Sequence, residues 1–474
     1  MRKLLRTQYD PAKTNTSPSD AERLVYLATA ISALGGMLFG YDIGVISGAI
    51  LFVKKQFALS ASLEEIVVSS VLLGSLAGAL AGGVLADRLG RRKLLIVAAV
   101  VFGFGAIGAA LAPGTAWLIA ARVIAGAAIG IASFVAPLYI SEIAPVAIRG
   151  KLVSINQVAL TSGIVISYGV DYAFAGTQAW RWMFAMAVVP AAAFGIGLLF
   201  IPDSPRWLVA RHRIDDAQAV LERLRRPNEV RSELAAITRS VGQRKAAWSE
   251  LLGPMVRPAM IVGVGLAVAQ QITGINTVIY YAPTILKFAG FSSAPVAILA
   301  SVGVGCVNVA LTLVAMQLID RVGRRPLLLV SLAGMALSLF VLGFAFSLPQ
   351  LSPSLGWLAV LSLMVYVGSF AVGLGPVFWL VLSEIYPLRI RGRAMSVGTV
   401  ANWGANLIVA LTFLTLTQVL GRPATFWLYG LVSVGAWLFA FFLVPETKGR
   451  TLEEIEAHWP GAKDSRPSIV SARG

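Results

Sequence analysis

Asp87-Arg88-Leu89-Gly90-Arg91-Arg92 returns 233 residues later as Asp320-Arg321-Val322-Gly323-Arg324-Arg325. Each copy is a short charged island between two long apolar runs. Two further segments return at nearly the same offset. Ser141-Glu142-Ile143-Ala144-Pro145, closing on Arg149-Gly150, matches Ser383-Glu384-Ile385-Tyr386-Pro387, closing on Arg391-Gly392, 242 residues on. Pro202-Asp203-Ser204-Pro205-Arg206 has a weaker echo in Pro445-Glu446-Thr447-Lys448-Gly449, at 243. Shared order and offset describe one unit written twice in parallel register. Such halves enclose a site near the bilayer midplane and rock around it.

The runs between these islands set the fold class. A bilayer core takes roughly 20 consecutive apolar residues per helix. The spacing predicts spans at 24–53, 66–86, 94–112, 116–140, 152–174, 182–201, 258–287, 294–319, 326–346, 357–383, 394–418 and 425–444. Of the 474 residues, 57% are hydrophobic and 13% charged. Soluble domains carry about 25% charged residues, so this composition belongs to a lipid environment. The 46 glycines suit helices packed closely in it. The expectation is an all-α membrane protein: twelve transmembrane helices in two six-helix, parallel-repeat halves. The expected division is a tail at 1–23, a bundle at 24–201, a linker at 202–257, a second bundle at 258–444 and a tail at 445–474. Asp215–Arg225 and Arg231–Ser240 in the linker read as short amphipathic helices.

Charge sets the expected orientation. Lys54, Lys55, Arg181, Lys287 and Arg422 fall on one side and Arg122 inside a span; the other 33 of the 39 Lys and Arg fall on the side of the termini. That excess predicts a cytoplasmic linker and cytoplasmic termini. It also accounts for the net charge of +16 without nucleic acid. Residues 1–22 lack the apolar core of a cleaved signal. Cys306 is the single cysteine, so no internal disulfide forms, and His212 and His458 both lie in polar stretches. No metal site and no cofactor are expected. Gly103-Phe104-Gly105-Ala106-Ile107-Gly108 fits a dinucleotide pattern by letter only, since no strand precedes it and no acid follows before Glu142. A phosphate-binding loop for ATP is absent too.

The Asp-Arg-x-Gly-Arg-Arg islands resemble the loops of the major facilitator superfamily. Pro202-Asp203-Ser204-Pro205-Arg206-Trp207 and Pro445-Glu446-Thr447-Lys448-Gly449 resemble the signatures of its sugar porter family, over residues 24 to 450. Asp203 stands where that family usually has Glu, a change that keeps the charge. The resemblance implies a major facilitator fold and transport of a monosaccharide, driven by a proton or facilitative. It also implies no enzymatic activity. The same family holds sugar–proton symporters and facilitative transporters, so the alternatives are a facilitative sugar or polyol uniporter and, from another class, a transporter-like nutrient sensor. A sensor is disfavoured by the roughly 30 residues after the last span. One chain supplies both halves, so function as a monomer in the lipid bilayer is expected. The Ala- and Arg-rich composition points to a bacterial inner membrane.

Ionisable groups inside spans are costly and are functional candidates by default. Asp42 lies in the first span and Arg122 in the fourth. No acid separates Arg88 from Glu142, so Arg122 needs a partner on another helix, and Asp42 is the expected one. A carboxylate whose burial and cation contact differ between two conformations changes its proton affinity. The resemblance assigns this pair to proton coupling; a static buried ion pair is the alternative. Polar amides mark the expected cargo site, because they donate and accept as sugar hydroxyls do. Gln271 and Asn276 lie five apart, about 140° around an ideal helix. For both to face one cavity, the seventh span must open near Gly274. Gly373, Gly375 and Pro376 predict a matching break in the tenth. By resemblance, Gln157, Gln270, Gln271, Asn276, Asn308, Trp379 and Asn402 contact sugar. Phe39, Tyr280 and Trp403 match cavity or gate positions, and Asn156 and Asn406 are weaker candidates. The resemblance also gives Asp87, Arg88, Arg91, Glu142, Arg149, Asp320, Arg321, Arg324, Glu384 and Arg391 a role as a latch. Paired across the halves, they would close the cytoplasmic side in the outward-open state.

Overall fold

The computed structural model describes residues 20–241, 248–253, 256–291, 293–348, 353–386 and 390–449. Most of both expected tails, with Pro387 and His458, lies outside the described residues. Twelve helical segments are long and apolar enough to cross a membrane. They begin with α1 (Asp20–Gln56), α2 (Ala61–Leu89), α3 (Arg91–Ala110), α4 (Thr115–Ile143) and α5 (Arg149–Ala175). The sixth segment is α6 (Trp180–Ala185) followed by α7 (Val188–Leu199). Three linker helices follow: α8 (Pro205–Ala210), α9 (Ile214–Leu224) and α10 (Pro227–Val241). The seventh segment comprises α11 (Arg257–Ile272), α12 (Ile275–Tyr280) and α13 (Ala282–Phe288). Then come α14 (Ala294–Val322), α15 (Arg324–Ser347), and α16 (Pro353–Val372) with α17 (Leu374–Glu384). The last two are α18 (Arg391–Val419) and α19 (Arg422–Leu443). Among the described residues there is no strand.

Three local features depart from the sequence reading. The sixth span is interrupted at Met186-Ala187, because Pro190 removes an N–H and crowds the carbonyl one turn back. The turn tightens there, with the Ala187 N–H donating to Phe184 O. In the linker, α8 was not expected. Ser204 caps it, its hydroxyl accepting from Trp207 N–H, and Pro205 opens its first turn. The last linker helix starts at Pro227, four residues before the expected Arg231.

Packing follows the repeat. In the first half α2 lies on α4, α1 on α5 and α3 on α4; in the second, α15 lies on α19 and α11 on α18. Two seams join the halves, α5 against α14 and α2 against α18. These seams are equivalents of one another under the repeat. Lipid offers no hydrophobic drive between helices, so contact depends on how closely backbones approach. At the α2–α4 crossing the approach is reciprocal. A Cβ on Gly126 would stand 2.0 Å from Val71 O, and one on Gly74 would stand 2.0 Å from Val123 O. Gly126→Leu should therefore lower the apparent melting temperature of the detergent-purified protein sharply, with Gly126→Ala intermediate. Overpacking of this kind costs about 1–3 kcal/mol or more. An unchanged melting curve for the leucine variant would contradict the interlock.

Candidate functional site

The seventh and tenth spans are both broken near the centre of the second half. Gly274 has φ +91° and separates α11 from α12. A side chain there would be strained by the backbone angle and would meet the Tyr429 ring at 3.0 Å. Gly373, at φ −129° and ψ −83°, separates α16 from α17. The broken ends satisfy one another. The Gln270 amide donates to the carbonyls of Leu374 and Gly375, both at 3.3 Å. Tyr366 Oη donates to Thr273 O at 2.8 Å, and Ser331 Oγ accepts from Leu374 N–H at 3.0 Å.

Opening at Gly274 brings Gln271 and Asn276 together, and Asn276 Nδ2 donates to Gln271 Oε1 at 2.8 Å. Gln271 Nε2 donates to Asn402 Oδ1 at 3.1 Å, and Asn402 Nδ2 donates to Gln270 Oε1 at 2.8 Å. Gln270, Gln271, Asn276 and Asn402 thus form one amide network between α11, α12 and α18. Asn308 is buried elsewhere, on a small cavity lined by Tyr168, Ile279 and Gly305 between the α5 and α14 sides. Gln157, on α5 of the other half, is half-buried, and Trp379 is partly exposed beside Phe378. Neither joins the amide network among the described hydrogen bonds. Phe39 and Trp403 meet across the halves with ring centroids 5.3 Å apart. Asn156 packs against Gly36 of α1, inside the first half.

Asp42 and Arg122 are both buried and meet, Arg122 Nη2 to Asp42 Oδ2, at 3.4 Å. That distance is long for a charge-assisted bond, which is usually about 2.7–2.9 Å. Arg122 is held more firmly by α2: Nε donates to Val67 O at 2.9 Å and Nη2 to Val68 O at 3.2 Å. A cavity with room for about one water lies beside the pair, lined also by Phe102, Gly105 and Phe184. From the second half, the Tyr280 hydroxyl is buried and has no hydrogen-bond partner among the described residues.

The charged islands form two copies of one clamp on the side of the termini. Arg91 meets Glu142 at 2.9 Å and reaches back to Asp87; Arg324 meets Glu384 at 3.0 Å and reaches back to Asp320. The next arginine donates to the carbonyls that end each half, Arg92 to Leu198 and Leu199, Arg325 to Phe441. The acids of the Pro-Asp and Pro-Glu segments face the island backbone. Glu446 accepts from the N–H groups of Arg324 and Arg325, each at 3.0 Å, and of Lys448 at 2.8 Å. The shorter Asp203 reaches the equivalent Arg92 N–H only at 3.5 Å. The ion pairs of Arg91 and Arg324 thus close within one half each. Arg391 donates to Tyr386 O of its own half, and Arg149 keeps a buried Nε without a hydrogen-bond partner. Arg88 and Arg321 enter through their carbonyls, which accept from Arg211 and Lys448.

Three buried acids escape the sequence reading. Asp171 is fully buried in α5 beside the Gly48 backbone, and neither carboxylate oxygen has a hydrogen-bond partner. Its signal was its place inside the span expected at 152–174. Glu64 and Glu65 lie just before the span expected at 66, yet both are buried in the first turns of α2. Ser60, which accepts from Leu63 N–H, was the available signal for that earlier start.

Two parallel-repeat halves with broken helices facing their interface define a secondary transporter. The chain belongs to the sugar transporter family of the major facilitator superfamily: the model described as "Sugar (and other) transporter" matches residues 28–459. It is a multi-pass membrane protein of a transporter family. The chain is 42% identical to the D-xylose transporter of Levilactobacillus brevis, over 90% of this chain and 93% of that protein. It is 41% identical to the galactose-proton symporter of Escherichia coli (strain K12), over 91% and 94%. Among solved structures, the xylose transporter XylE from E. coli in a partially occluded inward open conformation has a TM-score of 0.80 at 35% identity, covering 91% of this chain and all of that one.

The Glu446 geometry predicts a pH effect. Burial alone would raise its carboxyl, but the N–H groups of Lys448, Arg324, Arg325 and Thr447 outweigh that and hold it below its usual 4.5. A depressed carboxylate stabilises the fold above the unfolded value, and the contribution disappears as pH falls through the folded value. The wild-type melting temperature should therefore fall more steeply below pH 4.5 than that of Glu446→Gln. Parallel pH curves would refute it.

Proposed function

We propose that this chain carries a monosaccharide, hexose or pentose, together with a proton, by alternating access of halves 24–201 and 258–444 around a central site. The amide network of Gln270, Gln271, Asn276 and Asn402 carries the reading. Amides bonded to one another can exchange those bonds for sugar hydroxyls at little net cost. Asn308 and Trp379 of the same half, and Gln157 as the opposite half approaches, complete the sugar site, with Phe39, Tyr280 and Trp403 as its walls. The relatives named for D-xylose transport and for galactose–proton symport support both cargo and coupling.

Asp42 is the proton carrier and Arg122 its fixed counter-charge. Because Val67 and Val68 hold the guanidinium, Asp42 can gain or lose a proton without unseating it. A proton entering across 100 mV contributes about 2.3 kcal/mol, and each pH unit about 1.4 kcal/mol. Together they concentrate a neutral sugar by about one to three orders of magnitude. The Lys and Arg excess supports a cytoplasmic side at the termini. Closed seams on the far face, with the island ion pairs held inside each half, support an inward-facing state here. In the outward-facing state, Arg149 and Arg391 would cross to Glu384 and Glu142 as the latch, with Arg88 and Arg321 beside them. One chain supplies the whole site, which supports a working monomer.

In proteoliposomes, Asp42→Asn should abolish sugar accumulation against a gradient while retaining counterflow exchange. Unchanged accumulation would reduce Asp42 to a structural role and favour facilitative uniport. Gln271→Ala should raise the half-saturating sugar concentration roughly tenfold or more, from one lost buried hydrogen-bond set. An unaltered value across a panel of hexoses and pentoses would move the sugar site elsewhere.

A further inference from the structure

The two seams between the halves are equivalent by the repeat and unlike in chemistry. On the α5–α14 side, Tyr168 Oη donates to Ile279 O at 2.9 Å, and Val165 lies against Gly305. On the α2–α18 side a carboxylate crosses the seam. Glu65, 2% exposed, accepts from the Thr415 N–H at 2.8 Å and from the Thr415 hydroxyl at 2.7 Å. The repeat offsets of 233 and 242 carry Glu65 to the buried Ile298 and Thr415 to Ala173, so the other seam has no such pair. Neighbouring Glu64 differs again, since it pairs with Lys54 of its own half at 2.6 Å.

We propose that Glu65 and Thr415 form a state-selective clasp: a positioning pair that holds the face away from the termini shut and sets how much of the protein stands open toward them. The proposal rests on the alternating-access reading, but on neither the cargo nor the proton. A buried carboxylate is costly unless its oxygens are bonded or it takes up a proton. Both partner groups belong to one residue of the opposite half, so opening this face breaks both bonds in a single step. Hydrogen bonds to a charged group are stronger than neutral ones. Their loss should shift the open-to-closed ratio at this face by roughly tenfold or more.

The test reads accessibility. In a Cys306→Ser background, Ser69→Cys places one thiol a turn beyond Glu65 on the same helix face, at a position now 2% exposed. A membrane-impermeant maleimide is applied to proteoliposomes from each side in turn. Glu65→Ala should raise labelling from the face away from the termini about tenfold or more. Thr415→Val, which keeps the N–H, should raise it less, as should the isosteric Glu65→Gln. The double variant Glu65→Ala with Thr415→Val should match Glu65→Ala alone. Unchanged labelling in the alanine variant, or an effect of the double equal to two independent ones, would overturn the clasp. Should the alanine variant fail to fold, unchanged labelling in both conservative variants overturns it equally. Labelling needs no sugar. A protein that shows this pattern but accumulates no sugar would refute proton–sugar symport and keep the clasp; the converse would refute the clasp alone.

Discussion

In the hydrocarbon of a bilayer, an unpaired polar group costs several kcal/mol because no water is at hand to satisfy it. Each departure from a straight apolar helix must therefore be answered by a neighbouring helix. The centre of the second half shows how this works. Breaking the seventh span at Gly274 frees the Thr273 carbonyl, and Tyr366 meets it. Breaking the tenth frees the Leu374 N–H, and Ser331 Oγ accepts from it, while Gln270 donates across to the Leu374 and Gly375 carbonyls. Gln270, which ties the two broken spans together, also belongs to the amide network. Under the proposed function, this one residue serves both stability and recognition.

The repeated clamps apply the same economy where helices leave the membrane. Each reads helix, glycine turn, arginine, then an acid from another helix of the same half. The copies differ by one methylene. Glu446 reaches two island N–H groups at 3.0 Å, whereas Asp203 stops at 3.5 Å from its one. The first clamp adds a side-chain tie, Trp207 Nε1 donating to Asp87 O, which joins α8 to the island. The departure from Glu at position 203 is absorbed by its surroundings.

Much of this was readable from residue order. Long apolar runs locate the spans within a few residues, because length in lipid is set by bilayer thickness. The spacing of Gln271 and Asn276 demanded the break at Gly274, since two side chains on divergent faces cannot share a cavity on an intact helix. What escaped did so for physical reasons. Glu64 and Glu65 look like a loop because charge ends an apolar run, yet pairing with Lys54 and Thr415 lets both lie buried. Asp171 lay inside an expected span and was open to the same rule as Asp42; only its contact with Gly48, between distant residues, is one that no local pattern records. The cross-half pairing expected of the arginine islands is proposed for the outward-facing state. Here Arg91 and Arg324 find nearer acids at home, and sequence carries no label for the state.

The halves also differ in where their spans are interrupted, since the first is broken only at the sixth span, at Met186-Ala187, among the described residues. The first keeps α1 and α4 as unbroken helices, with α4 locked against α2 by backbone contact at Gly126 and Gly74. The second carries the joints at Gly274 and Gly373. The charge pair thus sits among unbroken helices, and the amides lie at the two breaks. Val67 and Val68 hold Arg122, so it has little room to be pulled from Asp42. In the proposed cycle, any change in the acid's hold on its proton then arrives from outside the pair, through wetting of the neighbouring void.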